Sequence, residues 1–100
     1  MTITIQESEE RIVAVLSGEL DTVAATEAET TMQPLLHTDK TDIVLDCTDL
    51  TYIASSGLRL FLSLLKSANA HGAKLTVKNI NSDIQSVFKA TGFSSIFHIE

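Results

Sequence analysis

The chain is short of several things at once. It has one cysteine, one proline, four glycines and no tryptophan, and only seven lysines and arginines against thirteen acidic residues. A single thiol excludes an internal disulfide framework and a cysteine-only zinc site, and it fits a reducing compartment. His37, His71 and His98 stand without ligand spacing, so no metal site is expected. The shortage of cations leaves a formal net charge of −6 at pH 7. Such a surface repels phosphates, which argues against nucleic acid and anionic membranes as partners. Long apolar runs are also missing: Leu58–Leu65 is interrupted by Arg59 and Ser63 and is too short to span a bilayer. Met1-Thr2-Ile3-Thr4-Ile5 lacks the basic region of a signal peptide. No glycine-rich phosphate loop is present and no acid–base pair stands at a recognisable spacing, so neither a cofactor nor catalysis is expected. What remains is a small acidic cytoplasmic domain. At 100 residues, 44% hydrophobic and 20% charged, it has enough apolar material for one core of its own.

The patterning predicts alternating strands and helices. Residues 2–6 alternate Thr, Ile, Thr, Ile, Gln, the period of a half-buried strand. Residues 11–17 are a β-branched apolar run, and the short connection predicts a hairpin between the two. Gly18-Glu19-Leu20-Asp21 breaks that run. Asp21 or Thr22 then caps a helix whose apolar positions are Ala25, Ala28, Met32 and Leu35, with Pro34 ending or kinking it. Residues 42–47 form a third strand. A second helix runs from about Ser55 to Ala70, with Leu58, Phe61, Leu62 and Leu65 as its buried stripe, Leu60 and Leu64 widening it, and Gly72 as its stop. Residues 73–78 are a fourth strand, and Ser82 opens a third helix ending at Gly92. Phe93, Ile96, Phe97 and Ile99 close the chain as an apolar tail that packs on the core. The order is β-β-α-β-α-β-α plus the tail, an α/β fold with a mixed sheet of four or five strands and right-handed crossovers.

The segment Asp46-Cys47-Thr48-Asp49-Leu50-Thr51-Tyr52-Ile53-Ala54-Ser55-Ser56-Gly57-Leu58 carries the chain from a strand into a helix start. In open α/β sheets that edge is where sites form. Two serines fall where backbone N–H groups lack partners and the helix dipole is positive. Their residue type suits either of two roles, a helix cap or an acceptor of phosphate that the helix end tolerates. Asp21 likewise is either a cap or a group that shapes the site, and Asp49 is a second nearby carboxylate. Cys47 alternates within its strand as a small buried hydrophobe.

Taken in order, Gly18-Glu19-Leu20-Asp21, Ile43-Val44-Leu45-Asp46, Tyr52-Ile53-Ala54-Ser55-Ser56-Gly57-Leu58 and Thr91-Gly92-Phe93 resemble a STAS domain. More narrowly, they resemble the free-standing anti-sigma factor antagonists of bacteria. The resemblance covers essentially the whole chain and implies a single STAS domain. It implies that Ser55, the first serine of the pair, is phosphorylated by a partner that is both anti-sigma factor and serine kinase. The unphosphorylated form would bind that partner and free the sigma factor, and a serine phosphatase would restore it. The implied partner surface takes in Gly18, Glu19, Leu20, Asp21 and Thr22, then Ala54, Ser55, Ser56 and Gly57, and Arg59 on the helix that follows. In one respect the chain departs from the family, which usually carries an aspartate immediately before the serine pair where this chain has Ala54. The departure removes a negative charge and a hydrogen-bond acceptor. It also admits a second reading, a structural STAS subunit of a membrane lipid transporter or of another regulatory complex, which needs the docking surface and not the phosphate.

Overall fold

A computed structural model describes residues 1–100. The alternating start of the chain is β1 (Thr2–Glu7), which turns back as β2 (Arg11–Leu20). These two pair antiparallel, Thr2 opposite Ser17 and Glu7 opposite Ile12. The helical stretch that follows is two helices, α1 (Thr22–Thr31) and α2 (Gln33–Leu36), not one bent at Pro34. The break falls at Met32, and Pro34 sits in the first turn of α2, where its missing N–H costs nothing. Next come β3 (Asp42–Ile53), α3 (Ser55–Ala70), β4 (Lys74–Lys78) and α4 (Ser82–Thr91). The apolar tail makes a 3-10 turn at Phe93–Ser95 and then β5 (His98–Ile99), so the sheet has five strands.

Strand order in the sheet follows the chain, β1-β2-β3-β4-β5, with every pair after the hairpin parallel. Successive right-handed crossovers that all step the same way place every helix on one face of the sheet. The side chains agree. Ile12, Ala14 and Leu16 of β2, Ile43 and Leu45 of β3, and Leu75 and Val77 of β4 all join the main core cluster. Their neighbours of opposite parity, Val13, Val44 and Thr76, lie outside it. No helix is long and apolar enough to cross a membrane.

Two expectations about side-chain placement shift in three dimensions. The buried stripe of α3 is Leu58, Leu60, Phe61, Leu64 and Ala68, whereas Leu62 and Leu65 are half-buried. The helix is rotated because α1 and α2 pack on its Leu60 side, where Leu60 lines a groove with Ala25 and Leu36 and the Ser67 hydroxyl donates to the Leu36 carbonyl, while Phe61 packs on Phe88 and Phe97. In the tail, Phe97 is buried but Ile96 is 51% exposed, because the 3-10 turn points it away from the core. The few aromatics are used together. Phe61, Phe88, Phe93 and Phe97 form one cluster with ring centroids 5.3 to 6.5 Å apart, in the tilted and edge-on arrangements that such rings prefer. That cluster fastens α4 and the tail to α3.

Two residues that bear on stability are legible at once. A Cβ placed on Gly57 would come within 2.9 Å of Ile53 Cγ1 and of Leu20 Cγ and Cδ2. Leu20 is fully buried and has no room to yield. Gly57→Ala should therefore destabilise the fold by about 1–2 kcal/mol, the cost of overpacking less the helix propensity that alanine gains. Urea unfolding measures this, and an unchanged midpoint would contradict the packing account. The second is Cys47, fully buried in β3. Burial first, then the neighbouring Asp46 carboxylate, pushes its thiol from 9.0 up to about 12. The unfolded chain thus releases this proton before the folded one does. The thiol's contribution is whole below pH 9.0 and is lost as the pH climbs toward 12. Cys47→Ala should flatten the fall in stability across that window, read from denaturant midpoints at a series of alkaline pH values.

Candidate functional site

The site is built where β2 and β3 end side by side. Their register shifts twice, between Val15 and Ser17 and between Gly18 and Glu19, before Leu20 comes opposite Ile53. Gly18 takes up the second irregularity with φ +102°, a conformation that L side chains rarely adopt. The Thr51 hydroxyl donates to the Gly18 carbonyl at 3.1 Å, and the Ala54 N–H donates to the Leu20 carbonyl at 2.9 Å. Both strands therefore finish at the same level. One residue later α1 and α3 begin together.

The two helix starts differ in how they are finished. Asp21 caps α1, its carboxylate accepting from the Ala24 N–H at 2.8 Å. In α3 the cap position is Ala54, extended at φ −86° and ψ 169°, and no side chain caps the helix. Neither serine is a cap: they occupy the first two helical positions. The Ser55 side chain is exposed. The Ser56 hydroxyl is buried with no hydrogen-bond partner. Ala54 leaves the first N–H groups of α3 without a side-chain partner, where a residue carrying an acceptor would cap them. At α4 the same task falls to Asn81, which accepts from the Ile84 N–H at 2.8 Å.

The expected site residues divide cleanly. Glu19, Asp21, Thr22, Ser55 and Arg59 are exposed, and Ala54 and Ser56 are half-buried. Leu20 is not a contact residue, because its side chain is fully buried under the first turn of α3. Gly57 is buried too and contributes by letting the helix approach the strands. Gly18 to Leu20 are not a turn, since β2 runs on through them to pair with β3. Residues 48–53 likewise continue β3, and the connection to α3 is Ala54 alone. Asp49, paired with Ser17, accordingly lies roughly 15 Å back along an extended strand from Ser55 and takes no part in the site.

Two large exposed hydrophobic residues near these element ends were passed over by sequence reasoning. Tyr52, opposite Glu19 in the ladder, is 50% exposed, and Val23 in the first turn of α1 is 72% exposed. The available signal for Val23 was its place off the Ala24, Ala25 and Ala28 stripe. For Tyr52 it was an aromatic at the mouth of a strand. Between α1 and α3 runs an open groove of about 300 Å³, floored by Ala25, Leu36 and Leu60 and rimmed by Glu29 and Arg59 among others. Farther along β3, Asp46 accepts from the Thr48 hydroxyl at 2.7 Å. That bond holds its carboxyl below the usual carboxylate range.

Comparison with known proteins places this geometry. The sequence profile of the STAS domain matches residues 2–100. The anti-sigma-B factor antagonist of Staphylococcus aureus is 29% identical over 84 residues, covering 84% of this chain and 78% of that protein. Its counterpart in Staphylococcus epidermidis is 27% identical over 84 residues, with the same coverage. Among solved structures, an anti-sigma factor antagonist from Mycobacterium paratuberculosis superposes with a TM-score of 0.87 at 18% identity, over 98% of this chain and 83% of that one. The anti-sigma factor antagonist SpoIIAA in its unphosphorylated form gives 0.77 at 20% identity, over 99% and 87%. These structures share the fold, and the profile match over residues 2–100 shows the family: the chain belongs to the STAS domain family.

Proposed function

We propose that the chain is an anti-sigma factor antagonist that is switched at Ser55. The observation that carries this reading is the placement of Ser55. Its side chain is exposed at the first position of α3, at the level where β2 and α1 present Glu19, Thr22 and Val23. The relatives named for this activity, and a solved SpoIIAA in a phosphorylated form, support it.

In this reading an anti-sigma factor that is also a serine kinase docks on the end of the sheet formed by Glu19, Thr22, Ala54, Ser55 and Arg59, with Val23 and Tyr52 as apolar contacts. Transfer of the γ-phosphoryl group of ATP to the Ser55 hydroxyl releases ADP and the hydroxyl proton, and the phosphate ester formed carries roughly −1.5 to −2 charges. The free N–H groups and positive dipole end of α3 accept that charge, while the docked surface must desolvate it. Such couplings are commonly about 1–3 kcal/mol, or about 5–150-fold in affinity. A serine phosphatase resets the cycle. Ser55 is the acceptor throughout, and the chain supplies no catalytic group of its own.

Incubation with the cognate kinase and ATP, followed by mass spectrometry, should place one phosphate on Ser55. Ser55→Ala should fold normally and remain unmodified. Ser56→Ala should be modified as wild type is, because the Ser56 hydroxyl is buried. Ser55→Glu should weaken binding of the anti-sigma factor by about tenfold or more in calorimetry. Phosphate on another residue would overturn the assignment of Ser55. Tight binding to a transporter ATPase with no modification would favour the structural-subunit reading, the one in which Ala54 is no loss.

A further inference from the structure

We propose that β1 is a self-pairing edge, through which two copies of the chain join antiparallel about a two-fold axis at Thr4. The two edges of the sheet are treated very differently. β5 is only two residues long, which is a common way to blunt an edge. β1 is six residues long, and its only partner is β2. On its outer side alternate N–H and C=O groups have no strand to meet. From Thr2 to Gln6 there is no proline, no charge and no bulge, and the one charge on β1 is Glu7 at its end, which this pairing sets against Met1 of the second copy, so the middle of the edge has none of the usual protections.

The same segment is complementary to itself. Pairing about Thr4 sets Ile3 against Ile5 of the second copy, Thr2 against its Gln6, and Thr4 against its Thr4. Ile3 and Ile5 lie on the helix-bearing face, partly buried against the core, so the pairing extends one apolar layer across the junction. Thr4 lies on the open face beside Val15, where opposed threonines are a favourable pair. Shifting the register by one residue would set Ile3 against a threonine and turn the second helix layer to the other face. In a chain of net charge −6, an uncharged stretch is also where two copies approach with least repulsion. Because the opposite edge is too short to receive β1, the contact closes as a dimer and does not propagate. The joint sheet has ten strands, and its two Ser55 ends point in opposite directions. So narrow a contact falls below the roughly 1,200 Å² of stable interfaces, which makes the dimer weak and concentration-driven.

Sedimentation equilibrium of the full chain tests this between about 10 µM and about 1 mM, the range that weak association needs. The mass should rise from the 10.8 kDa of one chain toward twice that. Thr4→Lys and Thr4→Glu should each weaken association by about tenfold or more, and mixing the two should restore it, since like charges now oppose one another in each alone. Under mild oxidation Thr4→Cys should form a covalent dimer, because opposed Cα atoms about 4.5–5.5 Å apart suit a disulfide. Thr2→Cys should not, as the two Thr2 positions stand roughly 13 Å apart along the strands. Cys47 is buried and does not compete. Circular dichroism confirms that each variant is folded. A monomer at the highest concentration overturns the proposal. So does association that Thr4→Lys leaves unchanged, or cross-linking at Thr2 as fast as at Thr4.

Discussion

The first turn of α3 passes so close to the ends of β2 and β3 that no side chain fits at Gly57. Leu20 and Ile53, opposite one another in the ladder, fill the space beneath it. The Ala54 N–H closes onto the Leu20 carbonyl just above. These contacts fix where α3 starts, how steeply it leaves the sheet, and which of its first residues faces outward. Ser55 is exposed and Ser56 is turned inward as a consequence. A larger residue at 57 would lift the helix end, and every exposed group around Ser55 would move with it. The site is thus positioned by core packing, not by a flexible loop, which is how a surface can be read repeatedly by partners without first being ordered.

Much of this was legible in the sequence, and the errors at the site share one cause. The helices at 55–70 and 82–91 were plain from periodicity and from the glycines that stop them. The hairpin and the parallel crossovers followed from spacing. What sequence could not place was the far end of β2 and β3. Gly18-Glu19 and Thr48-Asp49 have the composition of turns, and strand propensity there is low. Yet Ser17 pairs with Asp49 and Glu19 with Tyr52. Each segment extends because the other does, and a local window sees only one of them. The two register shifts absorb the mismatch, with Gly18 supplying the positive φ that one of them needs. The cap role open to the serines falls away for the same reason. Once Thr48–Ile53 is strand, the connection shrinks to one residue, and the cap falls on Ala54 and not on a hydroxyl.

Ala54 then takes on a sharper meaning. A cap residue at that place would accept from the first N–H groups of α3, as Asp21 does for α1 and Asn81 for α4. Its replacement costs typically about 1 kcal/mol of helix stability. An aspartate there would also set a negative charge next to the Ser55 oxygen. With alanine, nothing at the helix end competes with a phosphate for those donors. Under the proposed function, the unmodified state gives up a cap and the modified state meets an anion-ready helix end. In that reading the departure from the family pattern acts on the balance between the two states of the proposed switch, with the fold secured elsewhere by Gly57 and the phenylalanine cluster.

Charge completes the same picture. The chain carries −6 before any modification, and a phosphate adds roughly −1.5 to −2. Spread over the molecule that is a modest change, screened within about 8–10 Å at ordinary ionic strength. Concentrated at Ser55 it lies next to the end of β2, where the Ala54 N–H meets the Leu20 carbonyl, and so within one screening length of part of the docking surface proposed above. It is also remote from the middle of β1, which is separated from β3 by the full width of β2. A charge at the sheet's end can therefore govern docking while the edge of the sheet stays electrically quiet. If both proposals hold, that separation would let one small sheet present two surfaces without either interfering with the other.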